Sequence, residues 1–126
     1  MTPDVARMTM REFAEAMARG AWLLLPVGTT EEHGPHLPLG SDMLQAESVA
    51  SSVACAVDGV VAPSLAYGVC RTTRNFPGTV SLSFHTLETL VREVLEGYVK
   101  TGARRIAIIC GHAVSAHTEA LCQAAG

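Results

Sequence analysis

Residues Ala21–Val27 read Ala-Trp-Leu-Leu-Leu-Pro-Val, and Gly28–Asp42 follow as Gly-Thr-Thr-Glu-Glu-His-Gly-Pro-His-Leu-Pro-Leu-Gly-Ser-Asp. The first stretch is a short, continuous apolar run, the pattern of a strand covered on both faces. The second holds three carboxylates and two histidines among glycines and prolines, with no apolar periodicity. It reads as a loop. Open α/β sheets bind ligands beyond the carboxyl ends of their strands, and this loop occupies that position.

The flanking sequence supports the same architecture. Thr9-Met-Arg-Glu12 has capping-box spacing, Phe13, Ala14 and Met17 form an apolar face, and Gly20 stops the helix. A second helix starts near Asp42, with Asp42 as its cap, Gln45 at the third helical position, and a buried side of Leu44, Val49, Val53 and alanines. Val60–Ala62 begins another apolar run, and Thr79–Ser83 alternates like a short strand. Leu87, Leu90, Val91, Val94, Leu95 and Tyr98 recur at helical spacing, closed by Gly102. Arg104–Cys110 reads as a strand with a buried run Ile106–Ile109, and Ser115–Ala125 as a further helix. Helices alternating with strands at this spacing predict an α/β domain with a mostly parallel sheet.

Composition narrows the function classes. The chain has 126 residues, 48% hydrophobic and 17% charged, so it can bury a core as one domain. A formal charge of −3 without a basic run argues against nucleic-acid binding. No apolar stretch reaches the ~18 residues of a membrane span. Met1–Gly20 lacks the order of a secretory signal, so the expected location is cytoplasmic. Cys55, Cys70, Cys110 and Cys122 lack zinc-knuckle spacing and read as small, reduced core residues.

The chemistry concentrates in two loops. Glu31 and His33 are two apart, and on an extended backbone such residues project to one side. Asp42 follows after a loop long enough to turn back, and His112 lies in the turn after the Arg104–Cys110 strand. Glu31, His33, Asp42 and His112 form a mixed oxygen and nitrogen set suited to Zn²⁺, Mn²⁺ or Fe²⁺. A carboxylate can bridge two cations, and such a centre lowers the pKa of a bound water and polarises a carbonyl, the chemistry of amide hydrolysis. Each residue alone has a plainer reading: a loop Glu-x-His pair, a helix cap at Asp42, a histidine bonded to a backbone carbonyl at position 112. His36 ranks below His33 as a ligand, His85 reads as a cap or surface residue, and His117 does not share a helical face with His112. No nucleophile-elbow or phosphate-binding glycine motif occurs.

Leu25-Pro-Val-Gly-Thr-Thr-Glu-Glu-His-Gly-Pro-His-Leu-Pro-Leu-Gly-Ser-Asp42 resembles the signature of the creatininase (creatinine amidohydrolase) family. Ala66-Tyr-Gly68, Phe76-Pro-Gly-Thr-Val-Ser-Leu82, and Gly102-Ala-Arg-Arg-Ile106 leading to Gly111-His112 agree in order. The resemblance implies a three-layer α/β/α fold and hydrolysis of a C–N bond in a cyclic or linear amide by a metal-activated water. It implies two divalent ions (Zn, Mn or Fe) per site, with Glu31 and His33 on different ions, Asp42 bridging and His112 on the Glu31 side. It also implies a small-molecule amide substrate, such as creatinine, and a homo-oligomer, often a hexamer. Deformylation of pyrimidine intermediates and trimming of a peptide are other activities of the family.

Several positions depart from the family pattern. Cys110-Gly-His-Ala-Val-Ser115 stands where the family has Asn-Gly-His-Gly-Gly-Asn, or Asn-Gly-His-Tyr-Glu-Asn in creatininase itself. Val114 occupies the place of the glutamate that completes the second metal site, Ala113 that of a substrate-side tyrosine, and Thr73 that of a histidine. The length matches the N-terminal portion of the family fold, incomplete at the C-terminus, so catalytic and substrate-binding groups are not identified. The alternative expectation is a truncated, catalytically weakened homologue acting as a metal-binding or structural subunit. A small α/β binding domain with an incidental acidic loop is the third reading.

Overall fold

The computed structural model describes residues 2–126. A single 3-10 turn at Val5–Arg7 precedes α1 (Met10–Ala18), β1 (Trp22–Val27), α2 (Ser41–Ala56), β2 (Gly59–Val61), α3 (Phe84–Lys100), β3 (Ile106–Cys110) and α4 (Ser115–Ala125). The three strands form a parallel sheet in the order β2-β1-β3. Leu23 pairs with Val60 on one side and Ile106 on the other. The capping box expected at Thr9 is complete: Glu12 N–H donates to the Thr9 hydroxyl at 3.3 Å, and Thr9 N–H donates to Glu12 at 2.7 Å.

Central β1 explains why its sequence is apolar without alternation. Leu23, Leu25 and Val27 face a core built with Ala16 and Met17 of α1, Leu87 and Val91 of α3, and Ala120 and Leu121 of α4. Leu24 points the other way, against Ala50 and Ala54 of α2. Helices therefore cover both faces, as a buried parallel sheet requires. Each buried leucine contributes about 1.5–3 kcal/mol through removal from water.

Several local expectations are corrected. The buried stripe of α2 is Asp42, Ala46, Ala50 and Ala54, at a spacing of four, while Leu44 and Val49 face outward. Small alanines let α2 lie close over the sheet. Asp42 is not the cap: the helix starts at Ser41, after Gly40. Thr79–Ser83 makes only isolated bridges, Val80 with Thr30 and Ser81 with Gly68. The run Ile106–Ile109 is half-buried, because among the described strands β3 pairs only with β1. Of the cysteines, only Cys70 is buried; Cys55, Cys110 and Cys122 are exposed, and all are unpaired thiols. No helix among the described residues is long and apolar enough to cross a membrane.

Two glycines bring the strand ends onto the first turn of α2. A Cβ at Gly28, just after β1, would overlap the Met43 backbone, and one at Gly111, just after β3, would overlap the Asp42 carbonyl. Both loops thus converge where Asp42 begins its helix.

Candidate metal centre

The convergence places four polar side chains at the carboxyl ends of β1 and β3. Glu31, Asp42 and His112 are buried, and His33 is half-buried. Glu31 is held by its own N–H donating to the Leu39 carbonyl at 3.0 Å, so the loop folds back on itself before α2. Glu31, His33, Asp42 and His112 come together here. Asp42 Oδ1 lies 2.9 Å from His33 Nε2, and Asp42 Oδ2 lies 2.8 Å from His112 Nδ1. His112 Nδ1 is also 3.3 Å from a Glu31 oxygen.

Backbone carbonyls set both imidazoles. A carbonyl can only accept, so His33 Nδ1–H donates to the Glu31 carbonyl at 2.9 Å, and His112 Nε2–H donates to the Val69 carbonyl at 2.9 Å. Each neutral ring then turns its lone pair toward a carboxylate. Acceptor facing acceptor is unfavourable unless a proton or a cation lies between them. The bond to the Glu31 carbonyl, aided by the Asp42 carboxylate, raises the His33 pKa above its ordinary value. The donor set fits a divalent cation in place of such a proton. Histidine ligands in metal sites keep the same outer partner, a carbonyl or carboxylate on the far nitrogen.

The carboxylates are supported in turn. The Thr29 hydroxyl, fully buried at the end of β1, donates to Asp42 Oδ2 at 2.7 Å, and the Thr73 hydroxyl donates to Glu31 Oε1 at 2.5 Å. Thr73 therefore touches the site through Glu31. His36 and His85 are exposed and are not among the grouped candidate ligands. Ala113 is exposed, and Val114 is the residue before α4, with no side-chain cap.

Two further residues, Cys70 and His117, lie against this centre. Cys70 is buried, with its sulfur, a Glu31 oxygen and a His112 nitrogen all within 4.8 Å of one another. Burial, and then the nearby Glu31 charge, push its thiol up to about 11. His117, fully buried on α4, packs edge to face on the His112 ring. Its Nδ1 accepts from Val69 N–H at 3.2 Å, and its Nε2 has no partner. Burial, reinforced by His112, lowers its pKa to about 4. Helical spacing could not reveal this pair, because His112 stands in the loop before the helix. Cys70 carried no spacing signal at all; only the fold of the 62–83 loop brings it to Glu31.

The family model described as "Creatininase: Creatinine amidohydrolase" matches residues 6–126. The "Creatinine amidohydrolase" of Pseudomonas putida is 34% identical over 114 residues, covering 86% of this chain and 44% of that protein. The "Mycofactocin precursor peptide peptidase" of Mycolicibacterium smegmatis is 43% identical over 96 residues, covering 71% of this chain and 38% of that protein. A solved structure titled "Creatininase Mn" superposes with a TM-score of 0.92 at 29% identity, covering 99% of this chain and 50% of that one. The chain thus spans half the length, or less, of the relatives it matches.

Proposed function

The chain belongs to the creatininase family, and from that premise we propose that it holds divalent metal in an amidohydrolase centre that hydrolyses a C–N bond of a cyclic or linear amide. One observation carries the reading: the two oxygens of Asp42 each face a different histidine, and both histidines are held from behind by backbone carbonyls. This is the disposition a bridging carboxylate needs. A divalent cation bound there would polarise a carbonyl and make its water more acidic.

The chain's own residues then have distinct roles. Asp42 would span two ions, His33 would serve one, and Glu31 with His112 the other. Thr29 and Thr73 hold the carboxylates in place, and the burial of Glu31, Asp42 and His112 strengthens the charge interactions at the site. Both creatinine-type cyclic amides and a precursor peptide belong to the substrate classes that the relatives' names indicate. Assembly into a homo-oligomer is part of the same reading.

Val114 favours a second reading, a weakened homologue that retains one ion. An isopropyl group cannot coordinate, which leaves His33 and the shared Asp42 as the donors on the His33 side. Metal analysis after purification separates the two: two equivalents per chain support the two-ion centre, one supports the weakened homologue. Release of amine or ammonia from a panel of cyclic and linear amides, lost on chelation and restored by metal, is the expected activity. A chain that retains no divalent ion at all would remove the basis of both.

A further inference from the structure

We propose that Cys70 is a sulfur ligand to the cation held by Glu31 and His112, making that side of the centre a mixed oxygen, nitrogen and sulfur set that takes zinc in preference to manganese. The inference rests on the metal-binding reading above and goes beyond it in ligand identity and metal choice.

Position is the first ground. The Cys70 sulfur, a Glu31 oxygen and a His112 nitrogen lie within one coordination sphere's reach, and all three residues are buried. The second ground is how firmly the segment is fixed. Cys70 N–H donates to the Ser81 hydroxyl at 2.8 Å, and the preceding residue is gripped twice: Val69 N–H by His117 and the Val69 carbonyl by His112. The residue that orients His112 is thus the neighbour of the residue that offers the sulfur. A shift of one would move the other.

Ligand softness gives the metal preference. Thiolate donors favour zinc, whereas manganese is best served by carboxylate, carbonyl and water. On binding, the Cys70 S–H bond breaks, its proton passes to the buffer, and the sulfur replaces a water of the hydrated ion. No oxidant or reductant is needed. The other cysteines, exposed on α2, β3 and α4, are not part of this set.

Cobalt(II) is the probe, because a thiolate bound to it gives a near-ultraviolet charge-transfer band that oxygen and nitrogen ligands do not. The full chain loaded with cobalt should show the band, and Cys70→Ser should bind cobalt without it. Zinc affinity of Cys70→Ser should fall on the order of 10–100-fold, with manganese affinity changed less than about threefold, as expected of a soft ligand lost. A variant with Cys55, Cys110 and Cys122 all changed to serine keeps only Cys70 and should keep the band, which decides the matter even if Cys70→Ser fails to fold. Cobalt bound without the band in the wild-type chain or in that triple variant overturns the sulfur ligand and leaves the metal centre standing. No cobalt, zinc or manganese bound by the wild-type chain overturns the metal centre and this proposal together.

Discussion

His112 and His117 meet edge to face, ring centroids 4.8 Å apart and planes at 89°, and between them they hold both polar groups of Val69. The Val69 N–H donates to His117, and the Val69 carbonyl accepts from His112. His117 therefore acts on the candidate metal centre through one residue of backbone, as a positioning residue. Gly68 makes the arrangement possible. A Cβ there would overlap the His117 ring, which is walled in on every side.

Gly68→Ala should accordingly cost about 1–3 kcal/mol of stability, the usual penalty for overpacking a closed site. Its effect on metal should be separate and specific. Displacing Val69 takes away the carbonyl that orients His112, and loss of such an outer partner lowers metal affinity about 10–100-fold. Denaturant unfolding in chelator measures the first effect, and calorimetric titration with zinc measures the second. Unchanged zinc affinity in a folded Gly68→Ala protein would show that Val69 does not position His112.

His117 also predicts a pH dependence of the metal-free fold. Its pKa in the folded state is about 4, against an ordinary 6.5. Above pH 6.5 both states hold it neutral and it contributes no slope. Between 6.5 and about 4 the unfolded chain binds a proton that the folded chain refuses. Stability therefore falls with acidification across that window, by about 1.4 kcal/mol per pH unit for one such group. His117→Asn keeps an acceptor for Val69 N–H and cannot titrate. Its unfolding free energy in chelator, followed from pH 7 to 4.5, should fall less steeply than that of the wild-type chain. Parallel curves would mean that His117 is protonated in the fold.

The strand-loop-helix passage around Asp42 was legible in the sequence because each signal was local. Apolar continuity announces β1, proline and glycine announce the loop, and the ligand types announce its chemistry. The Thr9 cap and the α3 stripe are local for the same reason. What stayed hidden depends on distant backbone. Asp42 looked like a cap because helix starts favour aspartate, yet Gly28 and Gly111 draw two loops onto that turn and aim its carboxylate into the site. Leu44 and Val49 looked buried because they are large, whereas the buried hydrophobic positions of α2 against the sheet are all alanine. Cys70 and His117 reach the centre through the 62–83 loop, whose path no periodicity encodes.

Thr9 offers a control far from the site. It closes α1 through a reciprocal pair of bonds with Glu12, on the exposed end of the helix. Thr9→Ala should lower the unfolding free energy by about 1 kcal/mol, the ordinary worth of an N-cap. Metal affinity should not change, since nothing in α1 contacts Glu31, Asp42 or His112. A drop in zinc affinity would imply coupling between α1 and the sheet's far rim that the packing does not provide.

Asp42→Asn tests the centre itself. The substitution keeps the size of the side chain and removes the charge that faces His33 and His112. An amide offers one oxygen in place of two, so a bridge between two ions is lost. Metal retention should fall by more than the roughly 10–100-fold that loss of a merely supporting contact brings. Stability should respond in parallel: wild-type chain at a thousandfold excess of metal over its dissociation constant gains about 4 kcal/mol by linkage, and the variant should gain almost none. In chelator the two should also differ, by about 1.5–3 kcal/mol, because the amide keeps an acceptor for the Thr29 hydroxyl but loses the charge that His33 and His112 face, so the metal-linked rise is the readout. Thermal unfolding with and without zinc, alongside metal analysis of the purified proteins, reads both effects. An Asp42→Asn protein that keeps its metal and its metal-linked rise in melting temperature would reduce this aspartate to a structural residue, and the assignment of a bridging carboxylate would fail with it.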